Sequence, residues 1–261
     1  MARAASFVPA AMPCPVAGWF GGYYDLKYYR NVDFYIGVTR GITEDLVRRG
    51  VPRERVFLVH TFGTLPAAPP ADRATVATPA AAPVVLVLSR LHEKKGIDTI
   101  LEALQHCPGV YLWLAGEGPE RRADERLCAR LGLGGRVRFL GWRGDRAALY
   151  GAADIVALPS RYEPFGTVMP EAWGMRRPLV ATRAAGALAY VRHETDGLLC
   201  PIDDPPALAH AIRRLAADPL LRARLAANGW ETYRRLFEKE IVVASLIAAY
   251  EAMLRLGKGA R

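Results

Sequence analysis

Cysteine is scarce in this sequence, with four in 261 residues and none spaced as Cys-x-x-Cys. Cys14, Cys107, Cys128 and Cys200 are scattered, which argues against a disulfide framework and for reduced thiols in a cytoplasmic protein. Long apolar runs are missing too. The run Val84–Leu88 has only strand length, far short of the roughly 20 residues that a spanning helix needs. Histidine is rare, and His60, His106, His193 and His210 stand at no metal-ligand spacing, so ordinary surface or half-buried roles suit them. Basic residues interleaved with exposed aromatics are absent, which speaks against nucleic-acid binding.

Arginine and alanine are abundant. Arginine carries almost all of the net charge of +9. The stretch 213–261 holds ten Lys+Arg against five Asp+Glu, a basic tail compatible with peripheral contact to anionic headgroups on the inner face of a membrane. Solvated helix faces account equally well for pairs such as Arg213-Arg214 and Arg234-Arg235. The start, 1–20, is alanine-rich, but Arg3 is its only positive charge and Pro9, Pro13 and Pro15 interrupt it, which disfavours a signal peptide. With 51% hydrophobic residues and mean hydropathy near zero, the chain can bury one large core or two smaller ones.

The pattern predicts strands over 16–20, 33–38 and 55–59, with a short helix after the tyrosine-rich turn and another opening at Thr43-Glu44-Asp45. The β-α-β-α-β alternation favours a small parallel sheet. The segment 65–83 holds five prolines and little periodicity and is expected to be a linker. From Val84 the alternation resumes. Strands are expected at 84–89, 110–115, 137–140, 154–158, 179–182 and 197–200, with helices at 97–105, 120–131, 145–151 and from Thr167. The remainder, 206–256, should be helical, broken at Asp218-Pro219 and Asn228-Gly229. This is a doubly wound α/β domain, whose ligand site belongs at the carboxyl ends of its strands.

Those ends carry Ser89-Arg90-Leu91 through Lys95-Gly96, Ala115-Gly116-Glu117-Gly118-Pro119, Gly141-Trp142-Arg143, and the stretch Ser160 to Thr167. Arg90 can fork onto two oxygens, Lys95 supplies a point charge, and together they can neutralise a diphosphate. A helix capped by Thr167 with Gly166 before it leaves backbone N–H groups for an anion. Two glutamates, Glu163 and Glu171, stand eight positions apart, the first on a loop and the second one turn into the helix. Two carboxylates also suit glycoside hydrolysis, but the cations would then have no task.

Five motifs occur in order: Ser89-Arg90-Leu91 with Lys95-Gly96, Ala115 to Pro119, Arg138-Phe139-Leu140-Gly141, Ala153-Asp154, and Glu163-Pro164-Phe165-Gly166 through Glu171-Ala172. Together they resemble the carboxyl-terminal, donor-binding domain of the retaining GT-B glycosyltransferases of family 4, over the stretch from Val84 to the end. The resemblance implies a GT-B, Rossmann-like doubly wound domain at 84–237. Before it stand a truncated amino-terminal α/β remnant at 1–64 and the linker; after it, a carboxyl-terminal helix at 238–261 crosses back to that remnant. It implies a nucleotide-activated sugar as donor and a cell-envelope glycan or lipid as acceptor, with no metal or other cofactor. Arg90 and Lys95 would lie on the diphosphate, Glu171 on the ribose hydroxyls, and Trp142 and Arg143 near the base, with Gly116 and Glu117 in the donor loop. Glu163 and the backbone of Phe165, Gly166 and Thr167 would surround the sugar and phosphate. Catalysis would rest on Glu163, Arg90 and Lys95. The alternative is a non-catalytic nucleotide-sugar binding module, or a degenerate remnant, that needs a partner for the acceptor half. Two motifs differ from many relatives: Gly21-Gly22-Tyr23-Tyr24 stands where a histidine is common, and Gly186-Ala187 where paired glycines and Pro-Glu are common.

Overall fold

A computed structural model of the chain describes residues 7–9 and 12–257. Part of the amino-terminal stretch weighed as a signal peptide, with Arg3, lies outside the described residues, as do the last four residues of the basic tail. The chain divides into two compact units, Met1–Phe62 with Leu236–Arg261, and Gly63–Arg235.

The first unit is built on three parallel strands in the order β1 (Ala17–Phe20), β2 (Phe34–Gly37), β3 (Val56–Leu58). Asp33 sets the entry to β2 by accepting the Val16 N–H at 2.9 Å. The helix expected to open at Thr43 begins earlier, as α1 (Arg40–Arg48). Thr39 caps it, its Oγ1 accepting the Ile42 N–H at 3.1 Å, and Thr43 is instead a buried position one turn in. The short helix expected after the tyrosine-rich turn is a single 3₁₀ turn at Leu26–Tyr29.

The second unit contains six parallel strands. β4 (Val84–Leu88), β5 (Tyr111–Ala115), β6 (Val137–Gly141), β7 (Ile155–Leu158), β8 (Leu179–Thr182) and β9 (Leu198–Cys200) line up as β6-β5-β4-β7-β8-β9. That is the doubly wound order with its switch point beside β4, where the connections leave in opposite directions. Buried on both faces, β4 reads as an unbroken apolar run, as parallel core strands do. Helices α2 (Ile97–Gln105), α3 (Arg121–Arg130), α4 (Arg146–Ala152), α5 (Val168–Gly174) and α6 (Ala185–Tyr190) alternate with the strands. Two longer helices follow, α7 (Pro205–Ala217) and α8 (Pro219–Leu236). Along β5 the two-residue period sends Leu112 and Leu114 into the core formed with Ile100, Leu104, Ile212 and Leu215. Trp113 points to the other face and donates its indole N–H to Thr78 at 3.0 Å.

Thr78 belongs to the proline-rich stretch, which is bound to the second unit. Arg73 donates to the Ala152 carbonyl at 2.7 Å and 3.0 Å, to the carbonyls of Ala80 and Ala82, and to Asp154 at 2.8 Å. Asp154 also accepts the Val84 N–H, so one carboxylate ties this segment to the start of β4.

α8 departs from the expected pattern. No break occurs at Asn228-Gly229, because the glycine is there for contact and not for a turn. A Cβ at Gly229 would stand 2.2 Å from Trp173 Cδ1, and Trp173, fully buried on α5, donates its indole N–H to the Asp196 carbonyl. A glycine inside a helix costs about 1 kcal/mol relative to alanine, and close packing offsets that here. α6 was not foreseen; its alanine-rich six residues carry little amphipathic signal. The last helix, α9 (Lys239–Leu256), belongs to the first unit, where Val242, Ala249 and Met253 pack with Phe34, Ile36 and Val59. Among the described residues no helix is long and apolar enough to cross a membrane.

The Gly229→Ala change should therefore reverse the usual sign of a glycine-to-alanine change in a helix. We expect a loss of about 1–3 kcal/mol in urea denaturation, from overpacking against Trp173; a gain would show that the indole yields freely.

Candidate functional site

The carboxyl ends of β4, β5 and β6 are drawn together by backbone. Gly116 donates its N–H to the Gly141 carbonyl at 2.7 Å, and Ser89 donates to the Ala115 carbonyl at 3.2 Å. At Gly116, with φ +150°, a Cβ would lie 1.9 Å from Ser89 O, so only glycine lets the two strand exits touch. Opposite them the Ser160 to Thr167 loop leads into α5. Gly186 donates to the Glu163 carbonyl at 2.7 Å, and a Cβ on Gly186 would meet Phe165 O at 2.3 Å. Gly186 is thus the seat of this loop.

Between these walls lies a crevice of ≈ 170 Å³, lined among others by Ser89, Arg90, Gly116, Trp142, Arg143, Thr167 and Glu171. Arg90 is exposed, and its guanidinium makes no hydrogen bond or ion pair with any described residue. Arg143 is already forked onto Asp145 at 2.7 and 2.5 Å. Trp142 stands at the rim with 81% of its surface exposed. Thr167 takes the cap position of α5, but its dihedrals are helical and its hydroxyl bonds no backbone N–H of the helix. The turn is closed instead by Met169 N–H to Gly166 O.

Glu171 is 4% exposed. Two residues that sequence reasoning missed hold it: Arg146 forms an ion pair with Oε1, and the buried Tyr150 hydroxyl donates to Oε2 at 2.9 Å. Burial raises the Glu171 carboxyl above the ordinary glutamate value, while the Tyr150 hydroxyl and Arg146 pull the other way. Burial and the facing carboxylate push the Tyr150 phenol well above its usual range, so it stays a neutral donor. The signal for both was the i, i+4 spacing of Arg146 and Tyr150, which puts them on one face of α4.

The remaining expected residues lie beside the crevice. Lys95 Nζ is paired with Glu163 Oε2 at 2.5 Å, and Ser160 Oγ is 3.4 Å from the same oxygen. Lys95 and Glu163, assigned to separate tasks, are thus each other's partner. Glu117 is engaged by Arg121 at 2.9 Å. Phe165 is buried edge-on against Tyr190, so it can offer only backbone to a ligand. Gly166 has φ +83° and turns the loop into α5. Asp204 caps α7 through the Ala207 N–H, and Asp203 accepts from Thr99 and pairs with Arg161. Among the described residues no cluster of side chains is arranged to hold a metal ion.

A larger hollow, ≈ 550 Å³, lies in the first unit against α1, lined by Arg40, Glu44, Val47, Arg48, Arg53 and Leu58. It gathers no set of strand ends, and the smaller crevice at the switch point is where the fold places ligands.

Solved structures share this architecture. Anabaena HepE in complex with UDP matches at TM-score 0.84 and 26% identity, over 92% of this chain and 72% of that one. Sucrose-phosphate synthase from Thermosynechococcus elongatus matches at TM-score 0.76 and 34% identity, over 86% and 59%. The fold is that of the GT-B glycosyltransferases. In sequence, the family model for group 1 glycosyl transferases matches residues 82–218, and the chain belongs to that family. Among curated relatives it is 40% identical over 217 residues to the lipopolysaccharide core biosynthesis glycosyltransferase LpsE of Rhizobium meliloti. It is 36% identical over 250 residues to LpsD of the same organism. These alignments cover 83% and 95% of this chain and span 64% and 73% of the relatives.

Replacing Arg146 by methionine should raise the Glu171 pKa further, read by carboxyl ¹³C NMR. A folded-state pKa above the unfolded value means stability is lost as pH rises above about 4.5. The variant should lose more than the parent over that range; an unchanged titration would show that Arg146 does not hold the carboxylate.

Proposed function

We propose that the switch-point crevice receives the nucleoside diphosphate of a nucleotide-sugar donor, and that the protein transfers the sugar, with retention, to a cell-envelope glycan or lipid. The observation that carries this reading is Arg90, a guanidinium at the exit of an inner strand, exposed and uncommitted among the described residues, facing a buried glutamate across the crevice. A free fork in that place suits a diphosphate. Glu171, held by Arg146 and Tyr150, keeps lone pairs for two ribose hydroxyls. Trp142 offers an open indole face to the base, beside Arg143. Glu163 and the loop backbone from Phe165 to Thr167, together with Gly116 and Glu117, complete the surroundings of sugar and phosphate.

Transfer breaks the bond between the anomeric carbon and the diphosphate oxygen, whose electron pair stays with the leaving group. Arg90 and Lys95 stabilise that charge. In the free protein Lys95 is neutralised by Glu163; a bound diphosphate competes for it and frees Glu163 to face the sugar as positive charge develops there. The new bond joins the anomeric carbon to an acceptor hydroxyl oxygen on the face the diphosphate leaves, and the proton of that hydroxyl passes to the departing diphosphate oxygen. HepE bound to UDP-glucose supports the donor class, and the lipopolysaccharide-core names of LpsE and LpsD support the envelope acceptor. Peripheral contact with an anionic membrane fits the basic tail and the exposed Ile247, Tyr250 and Leu254 of α9.

A second reading, a module that binds the donor without transferring it, is favoured by the crevice lying wholly within the second unit. Both readings require nucleotide binding; only the first gives turnover with an added acceptor.

Calorimetry without divalent metal should therefore detect binding of at least one of UDP, GDP or ADP, and a folded sample that binds none refutes both readings. Glu171→Ala should weaken nucleotide binding about 10- to 100-fold, a loss of ~1.4–2.7 kcal/mol. Glu163→Ala should change affinity little and slow transfer. Equal losses of affinity would overturn the division between ribose and sugar.

A further inference from the structure

On α3 and the residue that caps its end, Asp124, Leu127, Cys128 and Leu131 fall at i, i+3, i+4 and i+7, the spacing of a core-facing stripe. Three are apolar and one is an aspartate. Asp124 is 5% exposed, and its Oδ2 is fully buried with no hydrogen-bond partner among the described residues. A buried carboxylate is ordinarily paired, because an isolated one forfeits its hydration. No ion pair with a described residue compensates this one.

Asp124 lines a cleft of ≈ 340 Å³ between α2 and α3 that shares no lining residue with the donor crevice. Four further carboxylates line it: Glu93, Asp98, Glu102 and Glu120. The cations nearby do not answer them all. Arg161 is forked onto Asp98 at 2.8 and 2.7 Å and reaches Asp203, while Arg130 makes no ion pair with any described residue. His92 uses Nδ1 to accept the Lys94 N–H. In a protein of net charge +9, the cleft is a concentrated patch of the opposite sign.

We infer that this cleft binds a small organic cation, an ammonium or guanidinium group that reaches Asp124. The described carboxylates do not converge closely enough to enclose a metal ion, whereas an elongated cation can spread its charge along the cleft. The group can come from a free diamine or from a basic side chain of a partner protein, and the chemistry at Asp124 is the same. The carboxyl's own protonation agrees. Burial, then Asp98, Glu120 and Glu125, push Asp124 up to about 7, the state of an acid lacking its counter-ion. This inference is independent of the donor-site reading.

The test uses the full chain and two probes, agmatine as the free cation and a triarginine peptide as the side-chain source, by calorimetry at pH 7 in two buffers of different ionisation enthalpy. Binding of either probe is expected, with proton release as Asp124 ionises, and the tighter probe identifies the source. Asp124→Asn should weaken binding at least tenfold and abolish the buffer dependence. Glu102→Gln, an exposed change that leaves the core intact, should weaken it about threefold through lost attraction alone. No binding of either probe, or equal binding by the parent and Asp124→Asn, overturns the inference. Without a cation, the raised pKa means that the parent loses stability as pH rises from about 4 to about 7. Asp124→Asn should then melt a few degrees higher near pH 8 with the advantage vanishing near pH 4; no difference at either pH would show the carboxylate to be solvated.

Discussion

A Cβ on Gly116 would stand 1.9 Å from Ser89 O, so the exits of β4 and β5 meet only because position 116 has no side chain. The crevice follows from that contact. With the two exits together, Gly116 N–H can reach Gly141 O, bringing in the end of β6, and Arg90 is left at the crevice with no described partner. The facing wall uses the same device, Gly186 beneath Phe165 O, to seat the loop that carries Glu163 into α5. Glycine here sets distances between backbones that no other residue permits.

Charge is distributed around the crevice in three states of commitment. Glu171 is buried and doubly held, Lys95 and Glu163 neutralise one another, and Arg90 is uncommitted among the described residues. Burying a carboxylate is costly, and the Tyr150 and Arg146 contacts reduce that cost without occupying every acceptor site on its oxygens. Asp124 on α3 is the opposite case, a buried carboxylate with no such support from any described residue.

Much of this was legible in the sequence. The apolar run of β4, the turn residues and the alternation of periods specified a doubly wound sheet, and the motifs at the strand ends marked the crevice. What stayed hidden depended on contacts distant in sequence. Gly229 has the look of a helix break until Trp173, more than fifty positions earlier, is found pressed against it. Thr167 precedes a helix, as a cap should, but its backbone is already helical and its hydroxyl plays no capping part. Arg146 and Tyr150 share one face of α4 by their spacing, but nothing in that spacing names their partner, which lies on another element. Lys95 and Glu163 were each visible; that they pair was not.

The Arg73 guanidinium has its partners 79 and 81 positions further along the chain. The Arg73 end of the proline-rich segment therefore cannot be fastened until Asp154, just before β7, has been made. At typical rates of about 5–20 residues per second, that is a wait of about 4–16 s during synthesis. Through that interval Arg73 lacks its downstream partners, while the Thr78 end of the same segment can already meet Trp113 on β5. The segment is thus fastened in two stages, its Thr78 end before its Arg73 end.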